Sequence, residues 1–153
     1  MTSLAYEKIY SRLFAKIEAY DFIEIPEEHL NDMLCTWLHS TSANPYVRKL
    51  FSTLTFDDIL QSLSFKMKYS IDDESDIEFV VEILSIGMAV AWLEPKVNSL
   101  TNIGQFFGSK EERWFSQASH IAELRGLVSD FKKQQRRMIA DRGYAWNSYL
   151  DGE

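Results

Sequence analysis

Apolar residues recur at helical spacing along most of this chain, and their recurrence predicts its first elements. Ile9, Leu13 and Ile17 return every four residues and predict a helix over residues 3–19. A second helix is predicted to begin at Pro26, because proline suits the first turn of a helix. Its apolar stripe has i, i+3, i+4, i+7 spacing and consists of Leu30, Met33, Leu34, Trp37 and Leu38. Both helices are therefore expected to pack against a shared core.

A change of period marks residues 54–70. A short third helix is predicted just before it, over residues 45–52. Every second residue from 63 to 69 is then apolar, and a period of two is typical of a strand. A single strand is not stable alone, so its partner is expected in residues 54–60 or on a neighbouring subunit. This segment therefore predicts a short β-ribbon inserted between helices.

The most apolar helix is predicted over residues 76–94. Ser75 and Glu78 have the spacing of a capping box directly before it. Apolar residues lie on most of its faces, which is typical of a central core helix. Pro95 is expected to end or bend it, and residues 98–108 are expected to form a loop.

A long polar helix is predicted to follow. It begins with a second capping box at Ser109 and ends at Arg142, with Gly143 in the position after the helix. About 33 residues at about 1.5 Å each make it about 50 Å long. Cationic and amide side chains interrupt its apolar stripe between Phe131 and Met138. We expect the helix to leave its own domain at this interruption.

These patterns predict a mainly α fold, a helical bundle with a long C-terminal helix and a short β-ribbon at about 54–70. We expect one helical domain over residues 1–142 and an extended docking tail over residues 143–153. About ten residues cannot form a core of their own, so the tail is expected to dock onto its own chain or onto a partner. The tail contains three aromatic residues and a leucine: Tyr144, Trp146, Tyr149 and Leu150.

Charge separates the two parts of the chain. The net charge is −7, which disfavours wrapping nucleic acid as a whole. Residues 1–105 hold eight basic and sixteen acidic residues, whereas residues 106–150 hold eight basic and five acidic ones. Such asymmetry can bring an acidic face of one copy against a basic face of the next, although solvated helix faces explain it equally well.

Several kinds of chemistry are not expected. The single cysteine, Cys35, allows no internal disulfide and is expected to be a small buried residue in a cytosolic protein. His29, His39 and His120 lack the spacing of familiar metal motifs, so we expect no metal, no cofactor and no enzyme activity. The longest apolar stretch, residues 83–93, is too short to span a bilayer, and no membrane partner is expected.

A basic cluster near the end of the last helix is the main candidate binding site. Three interpretations remain open: solvated cations at a helix C-terminus, a surface for an acidic protein, or a contact to nucleic acid. The cluster consists of Lys132, Lys133, Arg136, Arg137 and Arg142. Together with the tail, Arg136, Arg137 and Arg142 are the predicted partner-binding residues.

The chain also resembles the head–tail connector, or adaptor, proteins of tailed bacteriophages. The resemblance is one of pattern over most of the chain and is carried by residues 37–40, 45–51, 88–95, 118–124, 141–144 and 147–150. It implies a virion neck protein, assembled in the host cytoplasm as a ring of about twelve identical subunits beneath the portal protein. It also implies a portal-docking tail at 143–153, a downstream tail or stopper protein, and genomic DNA passing without sequence-specific binding. The alternative is a small cytosolic regulator whose basic helix binds nucleic acid or a protein.

Overall fold

The computed structural model of the chain describes residues 1–17, 26–106 and 111–145, and their side chains over 1–17, 26–98 and 121–143. The predicted mainly α class is confirmed, because the described residues form five helices beside a small three-stranded sheet. None of the described helices is long and apolar enough to cross a membrane. The elements in chain order are β1 (Thr2–Ala5), α1 (Tyr6–Lys16), α2 (Glu27–Ala43), α3 (Pro45–Arg48), β2 (Phe51–Asp57), β3 (Ser62–Met67), α4 (Asp73–Phe106) and α5 (Glu111–Ala145).

The central helix is α4, against which α1, α2 and α5 all pack. Val80, Ile83 and Leu84 are fully buried, as its apolar sequence predicts. Its contact with α1 is reinforced at the surface by a ladder of ion pairs. Residue numbers rise together along both helices, so α1 and α4 run parallel. The pairs are Lys8–Glu78, Arg12–Glu78, Arg12–Glu82 and Lys16–Glu82.

The β-ribbon is confirmed and belongs to a three-stranded antiparallel sheet of order β1-β3-β2. Leu63, Phe65 and Met67 are buried on the face towards the helices, as the period of two predicts. Residues 2–5 form a strand and not the start of the first helix, because Leu4 is buried opposite Leu63 in the ladder. The third helix ends at Arg48, earlier than predicted, because β2 begins at Phe51.

The helix α4 is longer than predicted at both ends. It begins at Asp73, and the Asp72 carboxylate caps it by accepting the Ser75 backbone N–H at 2.7 Å. Pro95 lies inside the helix, and the segment predicted as a loop is helical up to Phe106. Proline removes one backbone hydrogen bond. Leu93 and Val97, buried on either side of Pro95, provide the packing that offsets this loss.

The helix α5 runs antiparallel to α4 and stays against it where it was predicted to depart. Val128 and Phe131 are buried, and the Gln135 side-chain amide donates to the Ile83 carbonyl at 2.9 Å. The polar residues between Phe131 and Met138 therefore do not mark an exit from the domain. The helix also continues through Gly143 to Ala145, so Gly143 does not end it and the first three residues of the predicted tail are helical.

Candidate partner-binding groove

A groove opens between α2, α4 and α5 beside the basic stretch of α5. Its volume is about 710 Å³, and it is partly open to solvent. An open groove of mixed character suits a segment of another protein better than an enclosed small molecule. Six residues of its lining supply aromatic, aliphatic and charged groups: Trp37, Tyr46, Val90, Glu94, Lys132 and Arg136.

Gly87 lets the helices meet at the floor of this groove. A Cβ atom at position 87 would lie 1.7 Å from the Thr41 side-chain oxygen and 3.2 Å from the Gln135 amide nitrogen. Contact this close between α2 and α4 is available only to glycine. Because Gly87 has no side chain, the side chains that bound the groove come from its walls.

The wall that α5 contributes is cationic. Lys132 pairs with Glu94 of α4, and both side chains are about half exposed. Arg136 lines the groove and is exposed, and no ion pair among the described residues engages it. Guanidinium groups bind carboxylates with two parallel hydrogen bonds, so Arg136 offers a partner an anchoring point.

An aromatic rim completes the groove on the side of α3. Tyr46 is 60% exposed, which is high for an aromatic side chain in a folded domain. Asn44 positions it by accepting the Tyr46 backbone N–H at 3.0 Å, and the Lys49 ammonium lies 5.1 Å from the ring centre. Exposed tyrosine beside arginine is typical of residues that contribute most to binding at protein interfaces.

Arg142 does not belong to this surface, which corrects its predicted role as a partner-binding residue. Its guanidinium pairs with Asp76, donates to the Tyr69 carbonyl at 3.1 Å and lies 4.5 Å from the centre of the Phe79 ring. The Arg142 side chain is 9% exposed and that of Asp76 is 4% exposed. Arg142 therefore fastens the end of α5 to the beginning of α4.

The environment of Asp76 favours its ionised form. Burial opposes ionisation, but three donors outweigh it: the Ser70 hydroxyl at 2.5 Å, the Ile71 backbone N–H at 3.1 Å and the Arg142 guanidinium. The pKa of Asp76 consequently lies below its usual value. This pair is a structural anchor with every part of the carboxylate engaged.

Of the remaining predicted site residues, one is exposed, and the side chains of the others lie outside the described residues. Arg137 is exposed on α5 but does not line the groove. Tyr144 lies in the last turn of α5, with its side chain outside the described residues. Trp146, Tyr149 and Leu150 also lie outside the described residues, so docking through the tail stays a prediction.

Of the six lining residues named above, only Arg136 was among the predicted partner-binding residues, and Lys132 was in the basic cluster. The other four were not predicted to bind: Trp37, Tyr46, Val90 and Glu94. The sequence does contain a signal for the α5 wall. Lys132 and Arg136 are four residues apart, so they share one face of the helix. The aromatic residues come from α2 and α3 and meet that face only through the fold.

A scan against protein-family models found no match, and comparisons with curated proteins and with solved structures found none either. Function is therefore inferred from the geometry of the described residues.

Proposed function

We propose that this protein is a non-catalytic structural subunit of the neck of a tailed phage, a head–tail connector. In this proposal, identical subunits form a ring of about twelve copies beneath the portal protein. A downstream tail or stopper protein binds the ring, and genomic DNA passes through it without sequence-specific contacts. The protein then acts in the virion neck after assembly in the host cytoplasm.

The observation that carries the proposal is the groove between α2, α4 and α5. It combines the exposed guanidinium of Arg136 with the exposed ring of Tyr46 and with aliphatic lining side chains such as Val90. Such a surface is suited to an acidic, aromatic-bearing segment of another protein. We propose that the portal protein supplies that segment.

The anchored end of α5 supports the same proposal. Because Arg142 and Asp76 hold this helix against α4, the residues after Ala145 start from a fixed point. Arg136 precedes Arg142 by six residues, or about 9 Å along the helix. The groove and the start of the docking tail, now residues 146–153, therefore lie at the same end of α5 and can serve one partner.

The overall charge suits a channel through which DNA slides. Residues 1–105 have an excess of eight acidic residues. An acidic wall repels phosphate and so disfavours tight contacts that would retain the genome. The basic excess of residues 106–150 is left for acidic protein partners.

The runner-up function is a small regulator that binds nucleic acid through α5. It is favoured by the exposure of Lys133, Arg136 and Arg137. Acidic Asp130 and Asp141 lie on the same helix and weaken a continuous cationic face. Nucleic-acid affinity would fall steeply with added salt, as phosphate contacts release counterions.

Charge reversal in the groove tests the proposal. Replacing Lys132 and Arg136 together by glutamate should weaken binding to the portal protein at least about tenfold, because both cations face the partner. The matched control, Lys66→Glu with Lys68→Glu, makes the same charge change on exposed residues of the sheet region and should bind normally. Equal binding by the two double variants, measured by biolayer interferometry, would contradict the proposed site.

A further inference from the structure

Two elements, α2 and the β2–β3 turn, bring three potential metal ligands together where they meet. Cys35 and His39 lie one helical turn apart on α2, and Asp58 is the first residue of that turn. One Asp58 carboxylate oxygen lies 3.3 Å from the Cys35 sulfur and 2.9 Å from the His39 Nε2 atom. All three ligand atoms lie within 4.8 Å of one another.

These distances suit a tetrahedral ion. Zinc binds sulfur at about 2.3 Å and nitrogen or oxygen at about 2.0–2.2 Å, which places neighbouring ligand atoms about 3.3–3.8 Å apart. The two separations from the Asp58 oxygen require shifts of a few tenths of an ångström, and the sulfur and Nε2 atoms, which lie within 4.8 Å of one another, would move together by up to about 1 Å. His39 and Asp58 are also 40% and 53% exposed at their side chains, so an ion has a path from solvent.

Two tyrosines of α1 form the inner side of the cluster. The Tyr6 hydroxyl donates to Asp58 at 2.6 Å and orients the carboxylate. The ring of Tyr10 is 7% exposed, and among the described residues its hydroxyl is the buried side-chain group without a hydrogen-bond partner. The Tyr10 ring centre lies 6.0 Å from that of Tyr6, so Tyr10 lies next to the residue that holds Asp58.

The unsatisfied Tyr10 hydroxyl is the observation that separates this cluster from a plain hydrogen-bonded contact. A buried hydroxyl without a hydrogen-bond partner is unfavourable, because the hydrogen bonds it made to water in the unfolded chain are not replaced. A water molecule bound to an ion as its fourth ligand would give the Tyr10 hydroxyl a hydrogen-bond partner. Tyr6 would then orient the Asp58 carboxylate and Tyr10 the bound water, as hydrogen-bonding partners of metal ligands do in general.

We propose that Cys35, His39 and Asp58 bind one divalent transition-metal ion, with Zn²⁺ as the ion that best matches the sulfur, nitrogen and oxygen ligands. A water molecule held by Tyr10 occupies the fourth position. On binding, Cys35 gives up its thiol proton to solvent, and neutral His39 carries its ring proton on Nδ1 so that Nε2 is free to bind. The hydrogen bonds from the sulfur and from Nε2 to the carboxylate are replaced by bonds from all three groups to the ion. The ion would join α2 to the hairpin of the sheet, at a place where no metal was expected from the sequence.

Cobalt is the probe for this site, because Co²⁺ replaces Zn²⁺ in tetrahedral sites and absorbs visible light there. We expect one Co²⁺ per full-length chain, with a near-ultraviolet band from thiolate coordination. Cys35 is the single cysteine, so that band reports on it alone. Added Zn²⁺ should abolish the spectrum by displacement and should raise the thermal unfolding temperature.

Substitutions decide whether the three side chains are the ligands. Cys35→Ser should remove the thiolate band, and His39→Gln or Asp58→Asn should weaken Co²⁺ binding at least tenfold. The control His29→Gln alters an exposed histidine of the same helix and should bind as wild type. Circular dichroism establishes that each variant is folded. An octahedral Co²⁺ spectrum in the wild type, or wild-type Co²⁺ affinity in a folded Cys35→Ser variant, would overturn the proposal.

Discussion

Gly87 is the single residue whose lack of a side chain allows α2 and α4 to cross. In Gly87→Ala, the added carbon would overlap the Thr41 hydroxyl at 1.7 Å and force the helices apart. We expect a loss of about 1–3 kcal/mol in the free energy of unfolding, measured in urea. Gly126→Ala is the control, since nothing lies within 4 Å of its added carbon and helix propensity favours alanine by up to about 1 kcal/mol. Equal effects of the two substitutions would contradict the close crossing.

Arg142 and Arg137 test the difference between an anchoring and an exposed arginine. Arg142→Met leaves the Asp76 carboxylate buried without its cation, so we expect a loss of about 3–5 kcal/mol in stability. Arg137→Met alters an exposed side chain and should change stability by less than about 0.5 kcal/mol. Chemical denaturation of both variants measures the difference. A small loss in both would show that the buried pair does not fasten α5.

The same pair gives stability a defined pH dependence. The pKa of Asp76 is lower in the folded state than its unfolded value of about 3.9. Its contribution is therefore fully present above the unfolded pKa and is lost as pH falls through the folded pKa. We expect the free energy of unfolding to decrease below about pH 4 in the wild type, and less steeply in Arg142→Met. Urea titrations from about pH 5 down to about pH 2.5 make the comparison, and parallel curves would contradict it.

At the scale of elements, the β2–β3 turn contains a residue other than glycine in a backbone conformation that favours glycine. Gln61 has a φ of 51°, in the left-handed region that favours glycine. The turn is kept by the Tyr6 backbone N–H, which donates to the Gln61 carbonyl at 2.9 Å, and by Asp57, which accepts two backbone N–H groups. Gln61→Gly should therefore stabilise the fold by about 0.5–1 kcal/mol, visible as a higher unfolding temperature. A lower temperature would show that the strain at Gln61 is absent or offset.

Elements with a strong local period could be predicted from sequence, and those decided by distant contacts could not. The burial of Leu63, Phe65 and Met67 follows from a period of two. The central position of α4 follows from its apolar composition. The strand β1 depends instead on pairing with β3, more than fifty residues away. The helix likewise passes Pro95 because packing on both sides exceeds the cost of one lost hydrogen bond.

The candidate sites show the same division. The basic cluster was evident from sequence, yet only contact with Asp76 assigns Arg142 to an internal pair. The i, i+4 spacing of Cys35 and His39 could have indicated two ligands on one helix face. The third, Asp58, is brought to them by a turn, so no linear spacing could have identified it.

At the scale of the whole molecule, the contacts that anchor α5 all precede the tail proposed to bind a partner. Folding and partner binding can therefore be tested separately. The packed residues Phe131, Gln135 and Arg142 all precede Ala145. A chain truncated after Ala145 should therefore keep the circular dichroism spectrum and the unfolding temperature of the full chain to within a few degrees. Loss of folded structure in the truncated chain would instead place the aromatic tail in the protein's own core.

Portal binding by that truncated chain tests the central claim most directly. Negative-stain electron microscopy would compare the full chain and the chain ending at Ala145, each mixed with the portal protein that the proposed function assigns as its partner. We predict a ring of added density beneath the portal with the full chain, and a bare portal with the folded truncated chain. Equal rings with both chains, or none with the full chain, would contradict a neck subunit that docks through its C-terminal end.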